Sequence, residues 1–146
     1  MAGNYILHTY DGDQLMVYFN GNLIQGWDEN DVCTIEQMSE GFTSVVGVDG
    51  EVTRSKTNDR RVKVTLKIMQ SSAANATLSA IHKTDLNAPN GAGVGAFKFV
   101  DLNGTSQANG DKAWITKYPD AAYSRTAKVR EWVIEIANGQ REEGGN

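Results

Sequence analysis

Apolar and polar residues alternate along most of this chain. In Gln14–Phe19, Leu15, Val17 and Phe19 share one side; in Arg61–Gln70, Val62, Val64, Leu66 and Ile68 alternate with Arg61, Lys63, Thr65 and Lys67. In Glu131–Ala137, Trp132, Ile134 and Ile136 oppose Glu131, Val133 and Glu135. A period of two puts one set of side chains in a core and the other in water, which predicts antiparallel strands. Val32–Gln37, Phe42–Val48, Ala96–Asp101 and Lys112–Thr116 carry the same signal more weakly. Asn-Gly or Asp-Gly pairs at 11–12, 20–21, 49–50, 90–91, 103–104, 109–110 and 138–139 supply the positive φ angles that tight hairpins need.

One segment departs from that period. Ser71–Lys83 is Ala-rich, with serines placed to cap a helix start, and Ala74, Leu78 and Ile81 fall on one stripe. A short helix there packs its stripe across a sheet and ends on His82 and Lys83, which suit the negative end of the helix dipole. The predicted architecture is all-β with one short helix, an antiparallel sandwich or barrel. Asn87–Gly95 reads as a surface loop, and the Gly-rich polar tail Gly139–Asn146 reads as mobile. There is no internal repeat and no domain boundary, so residues 1–146 form one domain, with a core at 14–137 and terminal arms at 1–13 and 138–146.

Composition narrows the class. A chain of 146 residues buries enough surface to fold without disulfides or metals, and its single cysteine, Cys33, excludes a disulfide framework. No apolar run approaches the roughly 18 residues of a membrane span, and Met1–Tyr5 lacks the basic-then-apolar order of a secretion signal. A soluble domain made in a reducing cytoplasm, without membrane contact, is expected. The net charge of -4 argues against a protein that grips phosphates. That mean hides an asymmetry. Residues 1–53 hold nine carboxylates and no Lys or Arg, whereas Arg54, Lys56, Arg60, Arg61, Lys63 and Lys67 follow almost at once. Such segregation fits pairs within one molecule, or an acidic surface of one copy meeting a basic surface of the next.

Candidate chemistry is sparse. Gly91–Gly95 lacks the Lys-Ser/Thr of a phosphate loop and precedes a strand rather than a helix. Cys33, beside Ile35 in an alternating strand, reads as a small buried hydrophobe. His82 reads as a helix-end residue rather than a base, and Asp11 and Asp13 as turn carboxylates. Trp27, Trp114 and Trp132 are candidates for a sugar platform, although Trp132 alternates with Glu131 and Glu135 and reads as core. No catalytic constellation and no cofactor or metal site emerges. The feature that stands out is Val48–Val52, a tight turn, followed by Thr53–Arg60, which has no apolar residue. Its length and mixed charge fit either a solvated loop or an arm that docks on a neighbour.

At these residues the chain resembles the tail tube proteins of contractile-tailed bacteriophages. The resemblance runs through Gly47–Arg60, Leu78–His82, Gly91–Phe97, Ala113–Ile115 and Arg130–Trp132, in that order, and spans roughly residues 14–137. It implies a non-enzymatic virion protein, assembled in the bacterial cytoplasm, whose copies form hexameric rings stacked into a hollow tube. Inner strands of neighbours would join one continuous β-barrel, as in the similar tubes of type VI secretion systems. The implied partners are further copies of itself, the tail sheath protein, the tape-measure protein and double-stranded DNA in transit. The loop carrying Asp49, Glu51, Arg54, Lys56, Asp59 and Arg60 would contact the adjacent ring, and Glu36 and Glu40 would face the bore. An acidic bore repels DNA phosphates, so DNA would slide rather than stick. Whether the face bearing Arg61, Lys63 and Lys67 is bore or partner contact stays open. The competing readings are a monomeric carbohydrate-binding or adhesion module, with Trp27 or Trp114 exposed, and a small hydrolase.

Overall fold

A computed structural model describes residues 6–145. Met1–Tyr5, on which the reading of a missing secretion signal rests, lie outside the described residues. Ten strands and one helix follow in the order β1 (Leu15–Phe19), β2 (Asn22–Leu23), β3 (Cys33–Gln37), β4 (Phe42–Val46), β5 (Val52–Lys56), β6 (Val62–Met69), α1 (Ala74–Asn87), β7 (Gly95–Asp101), β8 (Gln107–Lys117), β9 (Val129–Ile136) and β10 (Gln140–Glu142). The fold is therefore all-β with a single helix. Eight strands form one antiparallel sheet in the order β2-β1-β7-β8-β9-β6-β3, with β10 beside β8, while β4 and β5 form a separate two-stranded sheet.

The period of two sets which face is dry. Val62, Val64, Leu66 and Ile68 of β6 lie beside Ile136, Ile134, Trp132 and Arg130 of β9 in register, and the apolar members are almost wholly buried. Val17, Phe19, Phe97, Ala113 and Ile115 extend this layer across β1, β7 and β8. Leu78 of α1 closes it, with Ala74 and Ile81 packed at its border. Register shifts in β8 opposite Gly95/Phe97 and at Ile115/Lys117 let that long strand bend around the core.

Local chemistry explains the turns, and where it misleads. Asn20 and Gly21 both have positive φ, +51° and +82°, and close a two-residue hairpin between β1 and β2. Asn109-Gly110, with the same residue types, is not a turn but lies inside β8. Gly110 is there because a β-carbon would collide with Ile136. Asp11-Gly12 opens a 3-10 turn over Gly12–Gln14, with the Asp11 carboxylate accepting from Asp13 N at 3.0 Å.

The helix also runs beyond the prediction, to Asn87, one residue short of the Ala88-Pro89 step that forces extended backbone. His82 and Lys83 consequently precede the last turn, and His82 is buried rather than helix-terminal. The helix start is held by Ser72, whose Oγ accepts from Ala74 N at 3.1 Å and donates to Gln25 O at 2.7 Å. The tail, too, differs from its composition. Gln140–Glu142 pairs with Gln107–Asn109, and Ser106 Oγ and the Gly144 backbone exchange hydrogen bonds at 3.0 Å.

Candidate interaction surfaces

The tight turn expected at Val48–Val52 is present, but Thr53–Lys56, read as a loop or arm, is a strand of a two-stranded hairpin. Phe42 pairs with Lys56, Ser44 with Arg54 and Val46 with Val52, so these six side chains share one face; Thr43, Val45, Thr53 and Ser55 share the other. The turn Gly47–Gly50 closes on backbone bonds Gly47 N to Glu51 O (2.7 Å) and Gly50 N to Gly47 O (2.9 Å). Asp49 accepts from Glu51 N at 3.1 Å. At the root, Thr57 N donates to Gly41 O at 2.9 Å, and the Asp59 carboxylate takes up Ser39 Oγ and the Arg61 guanidinium. These hydrogen bonds hold the Asp59 carboxyl well below the usual carboxylate range.

The six predicted contact residues are therefore not one patch. Asp49 and Glu51 sit at the tip, Arg54 and Lys56 on β5, and Asp59 and Arg60 at the root. What the sequence reading missed is that Phe42–Val48, read as a weaker strand, pairs with Val52–Lys56 rather than with the core sheet. Every residue of β4 and β5 is exposed, Val45, Val46 and Val52 by 70%, 65% and 61%, and Val48 stands free at the tip. Arg54 lies over the Phe42 ring at 4.3 Å.

A second surface is the edge strand β3. Lys67 N donates to Val32 O and Met38 N to Arg61 O, so alternate residues from Val32 to Met38 bond to β6. Cys33, Ile35 and Gln37 then turn their backbone N–H and C=O groups away from the sheet. Burial pushes the Cys33 thiol up to about 12, in keeping with a half-buried hydrophobe.

The outer face of β3, β6 and β9 carries a charge ladder. Glu36 lies opposite Lys63, which lies opposite Glu135. Lys67 reaches Asp31 at 3.1 Å and Glu131 at 3.8 Å, and Arg61 reaches Asp59 at 2.9 Å and Glu135 at 3.4 Å. Arg61 and Lys67 are thus neutralised within the molecule, each held more firmly protonated by its carboxylate partners. Glu36 and Glu40 are both exposed, Glu36 on this ladder and Glu40 in the connection to β4.

No sugar platform is assembled from the three tryptophans. Trp132 is in the core, Trp27 packs at its edge, and Trp114 lies on the opposite face of β8 from Ala113 and Ile115. The glycine run 91–95 serves packing. A β-carbon on Gly93 would press on Asp85 and Ile81 O of α1. Among the described residues no group of His, Cys, Asp and Glu is arranged to hold a metal, and no helix is long and apolar enough to cross a membrane.

Comparison with known proteins agrees with this geometry. Residues 17–144 match the family described as the bacteriophage PhiTE tail tube protein. A structural protein, ORF10, of Pseudomonas phage KPP10 is 28% identical, with 100% of this chain and 87% of that protein covered. Two solved structures share the fold at a TM-score of 0.60. One is the tube-terminating cap of the anti-feeding prophage, at 9% identity over 97% of this chain and 95% of that one. The other is the sheath/tube terminator of an extracellular contractile injection system in its extended state, at 13% identity over 95% and 100%.

Proposed function

The chain belongs to the bacteriophage PhiTE tail tube protein family, and on that premise we propose that its copies close into hexameric rings stacked as the inner tube of a contractile tail. As a family member it is a structural component of the virion tail and not an enzyme. The observation that carries the assembly reading is the β4–β5 hairpin. A lone two-stranded hairpin is marginal in water, yet this one projects roughly 20 Å at the usual rise per strand residue with its valines bare. Burying those side chains against an adjacent ring supplies the stability the isolated arm lacks.

Within a ring, the outward backbone groups of Cys33, Ile35 and Gln37 are satisfied by a strand of the next copy, since an unprotected edge otherwise invites open-ended pairing. Heterologous contacts of this kind close when the rotation between copies closes. Residues 1–146 act as one tube domain. Glu36 and Glu40 face the bore, and the paired lysines and arginines of the same sheet face leave its lining net acidic. DNA phosphates and the tape-measure protein then pass without adhering, and the sheath covers the outer wall. Assembly takes place in the host cytoplasm.

Negative-stain microscopy of the purified protein over a concentration series tests this reading. Hollow rods or six-fold rings are expected at high concentration. Dispersed single particles at every concentration would overturn it.

A further inference from the structure

A pocket of about 490 Å³ lies between α1 and the connection from β8 to β9, away from the hairpin and the β3 edge. Its walls include Asn75 and Ser79 of the helix, Tyr118 and Tyr123 of the connection, and Arg130 and Trp132 of β9. Arg130 is only 6% exposed. It follows the core parity of Trp132 and Ile134, so a guanidinium ends the dry row of β9. A buried cation ordinarily has a carboxylate beside it, and among the described residues Arg130 is in ion-pair contact with none. Its polar contacts are the backbone oxygens of Val129 and Ala122, at 3.4 and 3.5 Å, the outer limit of useful hydrogen bonding. The Tyr123 ring, 5.1 Å from the guanidinium carbon, offers partial compensation only. The fork of N–H donors is left facing a cavity with aromatic walls, a shape that suits a planar carboxylate.

We infer that this pocket receives an Asp or Glu side chain from the acidic first third of a neighbouring copy, forming a lateral or axial contact. The inference rests on the self-assembly reading above. The occupant follows from charge complementarity. Residues 1–53 hold nine carboxylates and no cation. Of these only Asp31 has an ion-pair partner among the described residues. One molecule thus presents a buried cation without an anion and a set of anions without cations, and a second copy matches both. A lone rim charge would change mainly the rate of association, whereas a buried forked pair governs whether copies stay together.

The test compares wild type with Arg130→Met, which keeps the stem and removes the charge, and Arg130→Lys, which keeps the charge and removes the fork. The readouts are monomer melting, the critical concentration for rods by sedimentation, and hydrogen exchange of residues 118–130 before and after assembly. Arg130→Met is expected to melt no lower than wild type and to raise the critical concentration about 30-fold or more, with Arg130→Lys recovering part of the loss. Among single Asp→Asn and Glu→Gln changes in residues 1–53, one should reproduce that loss and add nothing to Arg130→Met. Assembly of Arg130→Met at the wild-type concentration, or no acidic change with any effect, overturns the inference. If Arg130→Met fails to fold, wild-type exchange decides. Rods in which 118–130 gain no protection refute this pocket alone, whereas absence of rods from wild type refutes the self-assembly reading and this inference with it.

Discussion

Replacing Val46 and Val52 together by threonine separates stability of the monomer from stability of the assembly. Both side chains are β-branched before and after, so the strand preference of the hairpin survives. In the free chain they are 65% and 61% exposed and face each other across β4 and β5. Fully burying a valine contributes about 1.5–3 kcal/mol, and three-fifths or more of each surface is still in water. About 1–2 kcal/mol per side chain is therefore gained only when the hairpin docks, or about 2–4 kcal/mol per copy. Threonine keeps one methyl of each valine but must bury a hydroxyl at a cost of about 1–3 kcal/mol, which cancels the gain; since 1.4 kcal/mol is tenfold, the critical concentration should rise by roughly 30- to 1,000-fold. The unassembled variant should lose no more than about 0.5 kcal/mol, as for other exposed positions. Urea unfolding below the critical concentration and sedimentation above it measure the two quantities independently. Val45→Thr, a single change on the opposite face, shows whether that face docks too and should shift assembly by about half as much as the double change if it does. An unchanged critical concentration would refute the docking argument. A monomer destabilised by more than about 1 kcal/mol would show instead that the hairpin is already packed within its own chain.

Two further outcomes follow from the described contacts. Trp132 is buried and its Nε1 donates to Asn75 Oδ1 at 2.9 Å, while the Asn75 amide holds Met69 O and Ser72 O at the helix start. Trp132→Phe should therefore cost about 1–3 kcal/mol in urea unfolding and weaken protection of α1, and an unchanged midpoint would refute that link. The Asp59 carboxyl is held below its ordinary value by Arg61 and Ser39, so its contribution is complete above the unfolded-state value near 4 and is lost as pH falls below it. Asp59→Asn should accordingly lie below wild type at neutral pH and converge with it in acid; a gap independent of pH would refute this.

The strands of the core were legible because each has one dry face and one wet one. Val62–Ile68 and Trp132–Ile136 announce their pairing partners' chemistry even without register. Two misreadings have a common cause, a local signal overruled by a distant contact, and a third has a different one. Asn109-Gly110 looks like a turn, but its glycine makes room for Ile136 of β9. The tail looks mobile, but Ser106 and β8 hold it. Val52–Lys56 looks like a loop because it has no dry face, since its partner β4 is equally exposed. Arg130 had a usable signal, since it stands two residues before Trp132 on the core parity. A charge on that parity marks either a buried pair or an interface, and only the fold reveals that among the described residues no carboxylate pairs with it.

The groups left unsatisfied within the molecule gather in one stretch of sequence. From Cys33 to Lys56 the chain supplies the unpaired sheet edge, the unsupported hairpin and four of the acidic side chains, Glu36, Glu40, Asp49 and Glu51. A free-standing domain has no physical reason to concentrate open backbone groups and bare valines in one contiguous stretch, because each lowers the stability of the monomer or its solubility. The rest of the sheet, with its packed faces and internal ion pairs, shows that the same sequence can satisfy such groups locally. On the proposed ring-and-tube reading, this stretch is the part of the fold whose lowest free energy includes other copies. The docked hairpin should then be the last element to become protected from hydrogen exchange, and its protection should depend on protein concentration while that of β6 and β9 does not.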